Sequence, residues 1–194
     1  MIKLVNLLKE ITYKEPEAFG SRHIIYPSQT HPDKIIKTAK TNPKFGGDEY
    51  NILDLDTIKL FQKHPDIFPI VYKVTEKYVV LEKLDDNKPY YDLKNLYNQV
   101  VESDTEFSEY IEDKSSNYEK TYDLFSTYIY EYITEEDKTP LDFNEVYSKI
   151  KDGNLLKKYV LFIFKVIQLY TRHLDIHNNQ FGYDSKGNIK LLDL

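Results

Sequence analysis

His173-Leu174-Asp175-Ile176-His177-Asn178-Asn179-Gln180, followed after a short turn by Asn188-Ile189-Lys190-Leu191-Leu192-Asp193-Leu194, is the stretch on which the reading of this chain depends. Asp175 comes directly after an apolar helical pattern, on a loop shared with His173, His177, Asn178, Asn179 and Gln180. Gln180 to Tyr183 and Asn188 to Leu192 flank Asp184-Ser185-Lys186-Gly187, a tight-turn signal that predicts a hairpin. Asp193 ends the second strand, and the partner strand begins on the Asp175 loop. Two carboxylates and several amides therefore converge at one end of the hairpin. Such a set can place a base beside a nucleophile and hold a hard cation through oxygen ligands. Asp and Asn are also ordinary turn residues, so the set by itself leaves a bland reading open.

Upstream of this stretch the chain is helical. Asn154 to Thr171 is the most apolar segment, with Leu156, Val160, Ile163, Phe164, Ile167 and Tyr170 at helical spacing on one face. Thr139-Pro140-Leu141-Asp142 opens the preceding helix, with Asp142 as N-cap and Gly153 at its end. Residues 91–134 lack Gly and Pro and read as two helices broken near Asp113 to Ser116.

Before Leu84 the pattern is different. Residues 22–26 and 34–38 are β-branched segments around Pro27, Ser28, Pro32 and Asp33, a predicted hairpin. Gly46-Gly47-Asp48 precedes a helical pattern through Tyr50, Leu53, Ile58, Leu60 and Phe61 that stops near His64-Pro65. Residues 70–75 and 77–82 form a second hairpin around Thr75-Glu76, and residues 1–12 predict a short helix. The expectation is an α+β protein: residues 1–83 a small sheet carrying one helix, residues 84–194 a helical part ending in a hairpin.

Composition narrows the classes. The 194 residues are 41% hydrophobic and 14% aromatic, enough for a folded core. Net charge is −6, from 26 basic and 32 acidic residues that interleave, which argues against a nucleic-acid partner. The absence of cysteine excludes disulfides, thiol nucleophiles and cysteine metal sites. The N-terminal pattern is broken by Lys3 and Lys9, unlike a signal peptide, and the run Tyr159 to Tyr170 is too short to span a bilayer. A soluble, cytoplasmic protein without a membrane partner is expected. Arg occurs only as Arg22 and Arg172 and Ala only as Ala18 and Ala39, while Lys, Asn, Ile and Tyr abound; AT-rich codons account for that skew.

The opening stretch resembles the catalytic loop and metal-binding Asp motif of the protein-kinase-like superfamily, whose aminoglycoside-phosphotransferase-like branch carries an H-x-D-L-H form. Asp175 and Asp193 stand 18 positions apart, a separation typical of that family's loop and hairpin. Phe19-Gly20-Ser21-Arg22-His23-Ile24-Ile25-Tyr26 resembles a reduced phosphate-covering loop, and Lys34-Ile35-Ile36-Lys37 the strand with the ATP-contacting lysine. Glu49 is similarly placed to that lysine's partner, and Val79 to Leu84 resembles the hinge, where Glu82 and Leu84 would meet adenine. The nearest group resembles small kinase-like proteins of bacteriophages, which implies a host cytoplasm or virion location.

The resemblance implies a two-lobed fold, with an antiparallel-sheet N-lobe and a truncated helical C-lobe. It implies ATP and Mg²⁺, with Asp175 as base beside His173, Lys37 on phosphate, and Gln180 and Asp193 on the metal. Gln180 stands where the family has Asn, Gly20 is alone where the family often has several glycines, and Leu194 alone follows Asp193. Three readings follow. The chain is an ATP-dependent phosphotransferase acting on a protein or small-molecule hydroxyl, or an inactive kinase fold kept as a binding or structural module against a viral or host protein. The third is an α+β domain whose likeness is accidental.

Overall fold

The computed structural model describes residues 18–19, 23–39, 55–75, 78–105, 108–109, 125–134, 143–169 and 176–192. The protein is α+β, and its chain divides into two compact units, Met1–Leu84 and Asp85–Leu194. The predicted helix over residues 1–12, the glycine pair Gly46-Gly47, the N-cap Asp142 and the break near Asp113 to Ser116 lie outside the described residues.

In the first unit, β-branched and aromatic residues form strands where they alternate, and Pro, Ser and Asp interrupt them. Its elements are β1 (Ala18–Phe19), β2 (His23–Pro27), β3 (Lys34–Ala39), α1 (Leu55–Lys63), β4 (Val71–Val74) and β5 (Tyr78–Glu82). They make one antiparallel sheet in the order β1-β2-β3-β5-β4. β1 was not foreseen; two residues are too few to show a period of two. Around the β2–β3 turn, the Ser28 N–H donates to the Lys34 carbonyl at 3.1 Å while the Ser28 hydroxyl accepts from the His31 N–H at 3.2 Å.

β3 is the middle strand, and both of its faces are covered. Ile36 packs with Tyr78 and Val80, with Tyr26 against them. On the opposite face Ile58 of α1 packs with Val79 and Leu81, joined by Ile35 and Val71. Each such apolar side chain contributes about 1.5–3 kcal/mol on burial. α1 carries Asp56 in its first turn and Lys63 in its last, matching the helix dipole. It stops before His64-Pro65 because the residue ahead of a proline disfavours helical geometry. The Phe61 and Phe68 rings stack at 4.6 Å across that turn. On the outer strand β4 the register passes from Val71 opposite Leu81 to Lys73 opposite Val80, so Tyr72 is the extra residue of a bulge.

The second unit contains α2 (Asn87–Ser103), α3 (Phe125–Thr134), α4 (Phe143–Lys149), α5 (Gly153–Leu169), a 3₁₀ turn (Asn178–Gln180), and the hairpin β6 (Phe181–Tyr183) with β7 (Ile189–Leu191). α2 buries Pro89, Leu93, Leu96 and Val100, an alternation of four and three residues that draws one stripe along a helix. Asp85 accepts the Asn87 and Lys88 N–H groups on Oδ1, satisfying donors at the start of α2.

Two helix expectations change. The spacing predicts that α5 buries Leu156, Val160, Ile163, Phe164 and Ile167, with Tyr170 of the same face outside the described residues. Leu156 and Ile163 are buried, but the seam continues through Tyr159 and Val166, and Phe164 is 47% exposed. Tyr159 turns the helix because its ring meets Phe181 edge-on and its hydroxyl meets that of Tyr183. Gly153 begins α5 instead of ending α4. A Cβ there would run into the Tyr147 carbonyl, so the glycine permits the close meeting of the two helices.

Candidate functional site

Lys37 is the sequence-predicted site residue that the first unit places most definitely. It stands on β3 opposite Ile25 of β2 and Val79 of β5, and it is only 5% exposed. Successive strand residues point to opposite faces. Lys37 therefore shares the α1-bearing face with Ile35 and Val79, while Ile36 faces the other way. A lysine almost never stays this buried unless its charge has a use or a partner.

The residues of the same unit that the sequence reading expects at a hinge are engaged in the sheet. The Glu82 N–H donates to the Ile70 carbonyl at 2.9 Å, and its carboxylate accepts the Ile70 N–H at 3.1 Å. The Lys83 N–H donates to the Asp33 carbonyl at 2.8 Å, and Leu84 is buried. The register sets Glu82 opposite Lys34, so its side chain lies on the face away from Lys37.

In the second unit the loop before the hairpin is fastened at alternate residues. The Ile176 carbonyl accepts the Thr127 hydroxyl at 2.6 Å. The carboxamide oxygen of fully buried Asn178 accepts both the Ser126 N–H at 3.0 Å and the Ser126 hydroxyl at 2.6 Å. The Gln180 N–H donates to the His177 carbonyl at 3.0 Å, and the Gln180 carbonyl accepts the Leu192 N–H at 2.7 Å. The hairpin thus holds Gln180 beside Leu192, the residue that precedes Asp193.

These contacts decide which amide suits a hard cation. Asn178 does not fit, because its oxygen already accepts two donors in a closed interior. Gln180 is half-buried, and among the described residues its side-chain oxygen accepts a long 3.4 Å bond from the His177 N–H. That oxygen is therefore the one of the two amides that could be offered to a hard cation. No group of three or more His, Asp or Glu side chains is gathered among the described residues.

The hairpin is also held from below. Tyr183 and Asp85 exchange backbone hydrogen bonds of 2.9 and 2.8 Å. The Tyr183 hydroxyl donates to Asp92 at 2.8 Å and lies 3.0 Å from the Tyr159 hydroxyl. Lys88 reaches Asp92 at 2.8 Å and covers the Tyr183 ring. Burial pushes the Tyr159 hydroxyl well above the usual phenol range, and its hydrogen bond to Tyr183 adds to that. Burial likewise raises Tyr183, with Asp92 reinforcing it, so both phenols stay protonated. In the turn, Asp184 accepts the Lys186 and Asn188 N–H groups at 2.9 and 2.8 Å, and Gly187 adopts φ +78°. Lys190, 3% exposed, stands 3.9 Å from Asp184.

Of the residues singled out from sequence, Lys37, Glu82 and Leu84 belong to the first unit and Gln180 to the second. His173, Asp175, Asp193, Gly20, Ser21 and Glu49 lie outside the described residues. Sequence reasoning missed Ser126 and Thr127, since nothing local marks a partner 49 to 52 residues away. It also missed the Tyr183–Asp92 bond, although a tyrosine on a half-buried strand signals a hydroxyl that needs a partner. No helix among the described residues is long and apolar enough to cross a membrane. No family model, curated protein or solved structure matches the chain.

Proposed function

We propose that the chain is a protein-kinase-like phosphotransferase that moves the γ-phosphate of ATP to a hydroxyl of a protein or small molecule. The observation that carries this reading is Lys37, a buried lysine on the helix-bearing face of an antiparallel sheet, in the strand where the sequence resembles the ATP-contacting lysine. The order of elements supports it: strand with lysine, helix, two strands ending in a hinge-like segment, then a helical unit whose last hairpin follows the His173–Asp175 motif.

Phosphoryl transfer asks a protein for positioning and charge compensation. Lys37 would neutralise phosphate charge, with Glu49 fixing its ammonium group. Asp175 would orient the acceptor hydroxyl and take its proton. Mg²⁺, when bound, would offset charge on the β- and γ-phosphates, and Asp193 and Gln180 are the residues that would hold it.

Titration calorimetry of the full chain with ATP, with and without Mg²⁺, tests the reading. Saturable Mg²⁺-dependent binding is the expected result, and no heat at millimolar nucleotide overturns it. Asp175→Asn should then lower transfer of labelled phosphate by roughly 10²–10⁴-fold. Transfer that persists in that variant rules out Asp175 as the base.

A second reading has its own observation. Commitment of the Glu82 and Lys83 N–H groups to the sheet, together with Gln180 in place of Asn, favours a kinase fold kept as a binding or structural module for a viral or host protein. That module would give no phosphate transfer with or without nucleotide binding.

A further inference from the structure

We infer that Ser126 and Thr127, at the start of α3, are positioning residues that hold the segment between Asp175 and Gln180 in a single working conformation; the inference rests on the phosphotransferase reading above. Three donors on two consecutive residues reach two acceptors on that segment. Ser126 gives its N–H and its hydroxyl to one oxygen of Asn178, at 3.0 and 2.6 Å. Thr127 gives its hydroxyl to the Ile176 carbonyl at 2.6 Å.

The chemistry explains why these residue types stand there. An N–H near the start of a helix lacks an acceptor within the helix. The Asn178 carboxamide supplies one, and because Ser126 and Asn178 are both wholly buried, each would be costly without the other. Thr127 is half-buried, yet its hydroxyl turns to the loop carbonyl at a short distance. Ile176 directly follows Asp175, and Gln180 is fixed in turn by His177 and Leu192. Ile176, Asn178 and Gln180 are thus anchored at alternate positions, and a loop anchored so closely has little freedom left. A helix, which is rigid, sets the geometry of a segment that by composition is a flexible Asn-rich loop.

Turnover of γ-labelled ATP by the full chain, with water and the protein's own hydroxyls as acceptors, tests this. Ser126→Ala and Thr127→Val should each lower kcat about tenfold, and the double variant about a hundredfold, because an ångström of misplacement carries losses of that size. KM for ATP should stay within about twofold, and the stoichiometry of ATP binding should not change. Ser126→Thr, which keeps the hydroxyl, should restore most of kcat. If Ser126→Ala does not fold, the half-buried Thr127→Val still reports. An unchanged kcat in the variants overturns the inference alone, as does a kcat that falls only in step with the fraction of ATP-binding protein. A wild type without turnover overturns the phosphotransferase reading, and the inference with it.

Discussion

Among the described residues, each unit contains one deeply buried lysine in a strand, and the two stand in different cross-strand surroundings. Lys190 of the second unit has a carboxylate within its own hairpin: Asp184, on the connecting turn, stands 3.9 Å away, and the cross-strand neighbour is Gly182. Local turn chemistry accounts for it. Lys37 of the first unit is flanked by Ile25 and Val79, both apolar, in the middle of a five-stranded sheet. The two settings differ, and substitution of each lysine tests what that difference means for nucleotide binding.

The strongest way to break this comparison is to neutralise each lysine. Lys37→Met should weaken Mg²⁺-ATP binding by roughly a hundredfold. Lys190→Met should leave it within about twofold. Calorimetry on both variants checks this, and equal effects would erase the distinction. Next in size, Asp184→Ala removes the acceptor of two turn N–H groups and the Lys190 counter-charge. Stability should fall by about 2 kcal/mol in chemical denaturation, with nucleotide affinity unaltered. Tyr183→Phe deletes the hydroxyl that joins Asp92 to Tyr159, at a cost of about 1 kcal/mol in the same measurement.

The smallest effect is a pH dependence confined to the hairpin. Burial acts to raise the Asp184 carboxyl. Hydrogen bonds from Asn188 and Lys186 and the charge of Lys190 act the other way and hold it below the usual carboxylate range. A carboxyl lowered in the folded state gives stability that is complete above its unfolded value near 3.8 and is lost as pH falls through the lower folded value. Thermal unfolding midpoints of wild type and Asp184→Asn should converge as the pH is taken down from about 5 towards 2. Parallel curves would show that the carboxylate is not linked to folding.

Much of the fold was legible because its signals are local. Alternating β-branched residues gave β2 to β5 within a residue or two, and Asp184 to Gly187 gave the hairpin turn. Helical spacing gave α5, but its orientation was misjudged, because periodicity ranks apolar bulk and ignores a tyrosine hydroxyl that needs partners. Glycine often ends helices, so Gly153 reads as a stop in sequence; its role here is a close approach that only tertiary structure reveals. The site divides along the same line. The strand that carries Lys37 was legible because it has a pattern. The engagement of Asn178 by Ser126 could not, because a hydrogen bond across 52 residues leaves no period in the sequence.

The bulge at Tyr72 has a consequence for behaviour at high concentration. β4 is the outermost strand of the described sheet, and Ile70, Tyr72 and Val74 are all exposed along it. A straight apolar edge of this kind would template pairing with a second copy, the first step towards aggregates. An extra residue of this kind bends a strand and interrupts the regular ladder along its edge. Exposed Lys73 adds a charge that a docking strand would have to desolvate. A single inserted residue thereby acts against edge-to-edge pairing along the outermost described strand.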